Sequence, residues 1–120
     1  MLCDILICMI IVTGGGGFIG SALIWRLNQE GITDILVVDE LGSTSKWRNL
    51  VPLQWTDYVH KDVFLSDLVE NHLPKQIDAI IHMGACSSTT EADVDFLWEN
   101  NTQYTQLLAG YALEKDIPFI

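Results

Sequence analysis

The sequence predicts an α/β fold, a doubly wound parallel sheet, on three observations. Short β-rich runs alternate with segments whose apolar residues recur at three-and-four spacing. The β-rich runs are apolar without alternation, which marks strands buried on both faces. Two of them run directly into glycines, at Gly14 and Gly84. Strands separated by helices need right-handed crossovers, and therefore a parallel sheet covered on both sides.

Ile10 to Thr13 is the first strand. A helix follows from Ile19, with Ile19, Ala22, Leu23 and Leu27 on one face and Gly31 where it should stop. Ile35 to Val38 is the second strand, ending at Asp39 and Glu40. The polar stretch from Gly42 to Leu53 reads as loop with at most a turn of helix, and Tyr58 to His60 as a short third strand. Phe64, Leu65, Leu68 and Val69 give a second amphipathic helix, closing near Pro74. Ile77 to His82 is the fourth strand. A long helix is expected from about Asp95 to Lys115, with Leu97, Leu107, Leu108, Tyr111 and Ala112 inward. Pro118 to Ile120 reads as the opening of a fifth strand, so the sheet is expected to be cut short at about that point.

The 120 residues suffice for one domain, and no repeat or linker divides them. Sixteen acidic against six basic residues leave a formal charge of -10. Such a surface repels phosphate backbones and anionic leaflets, so neither nucleic acid nor membrane is expected as a partner. The apolar start, Met1 to Val12, has no basic flank or cleavage site and is broken by Asp4, so it reads as neither signal nor anchor. Cys3, Cys8 and Cys86 are odd in number and lack metal spacing, which fits reduced thiols in a cytoplasmic protein. His60, His72 and His82 share no ligand spacing either, and no metal site is expected.

The informative stretch is Thr13-Gly14-Gly15-Gly16-Gly17-Phe18-Ile19-Gly20. A pyrophosphate can approach backbone N–H groups at the start of a helix only if no side chain blocks the turn. A β-carbon at the last glycine would also push the helix off the strand. Gly14, Gly17 and Gly20 stand three apart, unlike the dehydrogenase fingerprint, whose first two glycines are two apart. A glycine pattern alone is weak evidence. Here it follows a strand, opens a helix, and precedes by about 20 residues an acid at the next strand's end, Asp39, placed to meet an adenosine ribose. The plain alternative is a turn that serves only the fold. Together these features point to a Rossmann-type dinucleotide site.

Lys46 and Lys61 could each reach an anionic group near the adenosine, such as a 2′-phosphate, although a lone surface lysine is ordinarily just solvated. After the fourth strand, His82-Met83-Gly84-Ala85-Cys86-Ser87-Ser88-Thr89-Thr90 supplies small residues where a doubly wound sheet binds its ligands. Cys86 has no assignable partner base and reads as a packing residue.

These residues resemble the extended short-chain dehydrogenase/reductase superfamily, which opens on a Thr-Gly-Gly-x-Gly-Phe-Ile-Gly loop. Within it, Gly31 to Asp39, the run Gly84-Ala85-Cys86-Ser87-Ser88-Thr89-Thr90-Glu91, and Asn100-Asn101-x-Gln103-Tyr104 are similar to the ADP-glyceromanno-heptose 6-epimerase family. The likeness runs from Met9 to Ile120, so residues 9–120 would be the N-terminal part of a dinucleotide-binding domain without its substrate domain. Met1 to Cys8 would be an extension, read first as non-native or mis-started at an upstream codon and otherwise as a real lengthening of strand one.

The resemblance implies that Gly14, Gly17, Phe18, Ile19 and Gly20 hold the pyrophosphate and that Asp39 and Glu40 meet the ribose. It implies further that Lys46 and Lys61 approach the adenosine phosphate, that Met83, Gly84, Ala85, Cys86 and Ser87 line the cofactor, and that Asn100 contacts it. NADP is the implied cofactor, with NAD possible, because Glu40 stands where the family has Asn and would repel a 2′-phosphate. Met83 replaces an acid. The implied reaction inverts the heptose C6 of an ADP-sugar in lipopolysaccharide precursor synthesis, by transient oxidation with a bound nicotinamide, in a homo-oligomer.

That chemistry needs a tyrosine whose pKa a nearby lysine lowers, a Tyr-x-x-x-Lys pair. The one formal match, Tyr111 to Lys115, lies on the helix before strand five and reads as coincidence. The catalytic residues would lie beyond Ile120, and the chain alone is expected to be inactive. Two alternatives stay open: a piece of another nucleotide-sugar epimerase or dehydratase, or a non-catalytic dinucleotide-binding module.

Overall fold

The computed structural model describes residues 9–43, 45–84 and 98–120. Four strands, β1 (Ile10–Thr13), β2 (Ile35–Asp39), β3 (Asp57–His60) and β4 (Ala79–His82), form one parallel sheet in the order β3-β2-β1-β4. The register places Thr13 beside Val38 on one side and beside His82 on the other. The carboxyl ends of β2, β1 and β4 therefore meet at one edge. That edge is where a doubly wound sheet, its strand order reversing between β1 and β4, opens a crevice. Phe119 pairs in parallel with Ile80, so the expected start of a fifth strand lies outside β4.

The strands bury both faces because their side chains alternate between two apolar layers. Ile10, Val12, Ile35 and Val37 pack with Ile24 of helix α1 (Phe18–Gln29). Ile11, Leu36, Val38 and Ile80 pack with Phe64 and Leu68 of α2 (Lys61–Val69) and with Tyr104, Leu108 and Ala112 of α3 (Tyr104–Lys115). A turn of 3-10 helix, Ser45–Asn49, lies within the stretch read as loop, and a turn of π-helix, Trp98–Gln103, leads into α3.

Several expected helix faces are rotated. In α1, Ile19 is 62% exposed and Ala22 is exposed, while Gly20 and Ile24 point inward. The cause is Gly20, which lies so close to the Gly14 carbonyl that the helix can turn only this face to the sheet. Leu23 and Leu27 pack partly, at its margin. In α2, Val69 is exposed, and in α3 Leu107 is half-exposed while Tyr104 takes the buried place. The second helix also ends sooner than Pro74. Asn71 takes φ +59° there, and His72 N–H donates to the Asp67 carbonyl at 2.7 Å, the closing bond usually made beyond a glycine. Leu97 and the expected start of the long helix at Asp95 lie outside the described residues.

Candidate functional site

The glycine loop between β1 and α1 is held at both ends by contacts that exclude side chains. Gly14 has φ +69°, and a β-carbon there would stand 2.6 Å from the Met83 carbonyl oxygen. At Gly20 a β-carbon would collide with the Gly14 carbonyl. Gly17 differs. Its backbone is extended (φ -75°, ψ 177°), and a β-carbon would meet only the Gly14 oxygen at 3.4 Å, an ordinary contact. Nothing in the packing demands glycine at this position, which is the start of α1. No side chain caps the helix there, so its first-turn N–H groups are left to whatever occupies the turn.

Asp39 ends β2 and is buried, and its carboxylate does more than face a ribose. Oδ2 accepts from Gly16 N–H at 2.8 Å, and Oδ1 accepts from Glu40 N–H at 2.7 Å and from Lys46 Nζ at 2.9 Å. Asn49 Nδ2 donates to the Gly16 carbonyl at 2.9 Å, so the peptide groups on both sides of Gly16 are fixed. A carboxylate offers about four acceptor positions, and the remaining one on Oδ2 is available to a hydroxyl. Glu40 lies outward of Asp39, with Lys61 Nζ at 3.7 Å and His60 Nε2 at 3.8 Å. Thr13, Gly14, Val38, Asp39, Lys61, Gly84 and Tyr104 line one small crevice at this edge of the sheet.

A polar chain runs from the loop into the sheet. Thr13 Oγ1 accepts from Met83 N–H at 3.0 Å and Gly84 N–H at 3.2 Å, and lies 2.6 Å from His82 Nδ1. His82 Nε2 lies 2.8 Å from Thr105 Oγ1, whose own proton goes to the Asn101 carbonyl at 2.7 Å. The ring is stacked between Tyr104 and Phe119, and burial lowers the His82 pKa from its ordinary 6.5.

Over residues 10–120 the chain matches the NAD dependent epimerase/dehydratase family. The chain belongs to that family. It is 53% identical over 112 residues to the ADP-L-glycero-D-manno-heptose-6-epimerase of Nitratidesulfovibrio vulgaris, covering 93% of this chain and 35% of that protein. It is 50% identical to the enzyme of the same name from Fusobacterium nucleatum, covering 93% of this chain and 34% of that protein. The chain thus spans about a third of the length of the curated relatives it matches. Among solved structures, the Helicobacter pylori heptose epimerase superposes with TM-score 0.75 at 23% identity, over 93% of this chain and 37% of that one. The Bacillus cereus UDP-glucuronic acid 4-epimerase in complex with NAD superposes with TM-score 0.74 at 24% identity, over 92% and 38%. At these identities the two structures speak for the fold.

Within this epimerase/dehydratase chain, most of the sequence-predicted site residues that are described converge on one edge of the sheet. Gly14, Gly17, Phe18, Ile19 and Gly20 form the turn and the helix start, with the Phe18 and Ile19 side chains exposed at its rim. Asp39, Glu40, Lys46 and Lys61 border it, and Met83 and Gly84 close it from β4. Ala85, Cys86 and Ser87 lie outside the described residues, as does the side chain of Asn100. Sequence reasoning missed the structural parts played by Asn49 and His82. Nothing marks Asn49 in the sequence, whereas a histidine ending an apolar strand beside a glycine could have been noticed.

Tyr111 and Lys115 lie elsewhere. They line a cavity of about 720 Å³ with residues 71–77 and Asp116, beside the segment that leads into β4 and so at the other end of the sheet. Burial, and then Glu114, raise the Tyr111 pKa, the opposite of what proton abstraction requires. Among the described residues no helix is long and apolar enough to cross a membrane.

Proposed function

We propose that this chain is the dinucleotide-binding portion of an ADP-glyceromanno-heptose 6-epimerase. The observation that carries the cofactor assignment is Gly17, a glycine that packing does not require, at a helix start that no side chain caps. Relatives at 50–53% identity supply the sugar. The residues fit a nicotinamide dinucleotide. Phe18, Ile19 and Gly20 N–H groups would hold its pyrophosphate, Asp39 and Glu40 would face the ribose, and Met83 and Gly84 would form the far wall. When bound, such a group would supply hydride-transfer chemistry for the heptose C6. This chain's own part is to bind and orient that group.

The resemblance points to NADP as the cofactor. A specific observation favours NAD as the second reading. Lys46 already meets Asp39 at 2.9 Å, and Lys61 lies 3.7 Å from Glu40, so the two lysines expected at a 2′-phosphate each face a carboxylate. Calorimetric titration with NAD and with NADP tests both readings. Binding of one or both is expected, and heat from neither would remove the assignment.

The remaining elements follow the family. The full-length enzyme would interconvert the D-glycero and L-glycero forms of ADP-heptose, in the cytoplasm, as a homo-oligomer supplying lipopolysaccharide precursors. Alone, this chain would not turn over ADP-heptose, because its one Tyr-x-x-x-Lys pair lines the cavity at the other end of the sheet. Measurable epimerisation by the purified 120-residue chain would refute that.

A further inference from the structure

The peptide group between Gly16 and Gly17 stands just ahead of α1, and neither residue beside it carries a β-carbon. A peptide is rigid and planar, so its C=O and N–H can only turn together. Between two glycines that turning meets few steric limits, and hydrogen bonds have to choose the orientation. Leu41 and the Lys46 stem cover the Gly16 Cα, where a β-carbon would stand 2.7 Å from Leu41 Cδ2 and 3.5 Å from Lys46 Cδ. A rotation about the line joining the two Cα atoms leaves that packing in place. The N–H of this peptide, on Gly17, donates to the Gly14 carbonyl at 3.1 Å, a bond inside the turn that travels with it. Its C=O, on Gly16, accepts from Asn49 Nδ2 at 2.9 Å. Among the described residues, that is the bond that ties this peptide to a distant part of the chain.

The sequence places Asn49 for this task. It ends the 3-10 turn Ser45–Asn49, three residues after Lys46, and side chains three apart share one side of a 3-10 helix. Lys46 Nζ accordingly reaches Asp39 Oδ1, while Asn49 reaches Gly16, whose own N–H is held by Asp39 Oδ2. Leu50, buried in the same apolar layer as Ile24, roots the end of the turn.

We propose that Asn49 is a positioning residue for the dinucleotide: it fixes the peptide that opens α1, and so sets the first-turn N–H groups for the pyrophosphate before the ligand arrives. It also keeps the Gly16 carbonyl oxygen on a donor, one residue from the helix start where an anion would sit. Without Asn49 the peptide rocks on the Gly14 bond alone. The ligand then has to order it on binding, and that cost lowers affinity. Asn49 acts through Gly16 rather than on the ligand.

The inference rests on the dinucleotide reading for its effect on binding, while the peptide itself can be followed without any ligand. Asn49→Ala and Asn49→Leu both remove the donor, the second keeping most of the volume. Asn49 is an exposed residue, so both variants should fold. In calorimetric titrations each should bind NAD about threefold to tenfold more weakly than wild type, the worth of one hydrogen bond. ADP, which carries the pyrophosphate, should weaken alike. Adenosine, which has the ribose and no phosphate, should shift the NMR spectra of the variants and of wild type at the same concentrations. In the ligand-free protein, hydrogen exchange at the Gly17 amide should quicken in both variants, while exchange at Ile24 and Leu27 stays as in wild type. Asn49 does not touch the Gly17 N–H, so the effect has to pass through the peptide plane, and a general loosening of the fold would quicken all three amides. Wild-type affinity for NAD in either variant, an equal loss for adenosine, or an unchanged Gly17 amide would overturn the proposal. Should NAD fail to bind the wild-type chain, the dinucleotide reading fails on its own, and the amide exchange still decides whether Asn49 fixes the peptide.

Discussion

Replacing Gly17 with alanine separates the two jobs a glycine in this turn can do. The backbone there is extended, a conformation open to any residue, and the new β-carbon would meet nothing nearer than 3.4 Å. Alanine is a poorer helix cap than glycine by several tenths of a kcal/mol. The loss of glycine's freedom in the unfolded chain offsets this by ~0.4–1 kcal/mol. Net stability should therefore change by less than about 1 kcal/mol. Binding should not escape. The methyl is added at the N-cap, beside first-turn N–H groups that no side chain caps, and losing one charge-assisted hydrogen bond there costs about 1.5–3 kcal/mol, or at least tenfold in affinity. Gly20→Ala is the contrasting case, because its β-carbon would collide with backbone at Gly14 and Gly15. Overpacking of that kind costs about 1–3 kcal/mol or more, so this variant should lose stability first. Urea unfolding followed by tryptophan fluorescence reads the first quantity, and calorimetric titration with NAD and NADP reads the second. If Gly17→Ala binds like wild type, the turn serves only the fold and the cofactor assignment is wrong.

Other changes probe the surrounding shell. Asp39→Ala strands the Gly16 and Glu40 N–H groups and takes a carboxylate from Lys46, and should cost about 2–4 kcal/mol in urea unfolding along with dinucleotide binding. Glu40→Asn removes a carboxylate beside Lys61 and should tighten NADP several-fold while leaving NAD little changed, as read by paired titrations. Acid should destabilise the fold through His82. The unfolded ring titrates near 6.5 and the buried one lower, so between those values the unfolded chain holds more protons. That contribution is complete above pH 6.5 and declines as pH falls below it. Urea midpoints measured from pH 7.5 to pH 5 should drop, and drop less for His82→Asn.

The architecture was legible because β1, β2 and β4 are largely apolar runs, of the kind a sheet covered on both faces buries. The helix faces were less so. In α1 four apolar residues made a plausible stripe, yet the inward direction was set by Gly20, a residue with no side chain to register in any hydrophobic pattern. In α2 the end was misplaced because Asn71 makes the left-handed turn that glycine usually makes, and composition does not distinguish such an asparagine from a solvated one. Tyr104, noted only as part of a motif, was not expected to face inward, and its hydroxyl donates to the Lys61 carbonyl at 3.3 Å, a long-range contact with no sequence trace.

The binding residues were readable for a different reason. A phosphate-sized approach to backbone can be written into a sequence only as missing side chains, and four consecutive glycines after a strand are conspicuous. What holds those glycines in place is written elsewhere. Asp39 was identified by its distance from Gly20 and expected to face a ribose, but most of its acceptor capacity goes to the Gly16 amide, the Glu40 amide and Lys46. Asn49, at the end of the 3-10 turn and 33 residues away, secures the next peptide through the Gly16 carbonyl. A loop with so little side-chain packing of its own keeps its shape only if its amides are tied down from outside. Asp39 therefore matters to a bound dinucleotide first as the residue that keeps the turn open, and any ribose contact would be made by a carboxylate already fixed in position. A variant retaining the ribose contact but not the Gly16 bond should accordingly bind worse than one with the reverse arrangement.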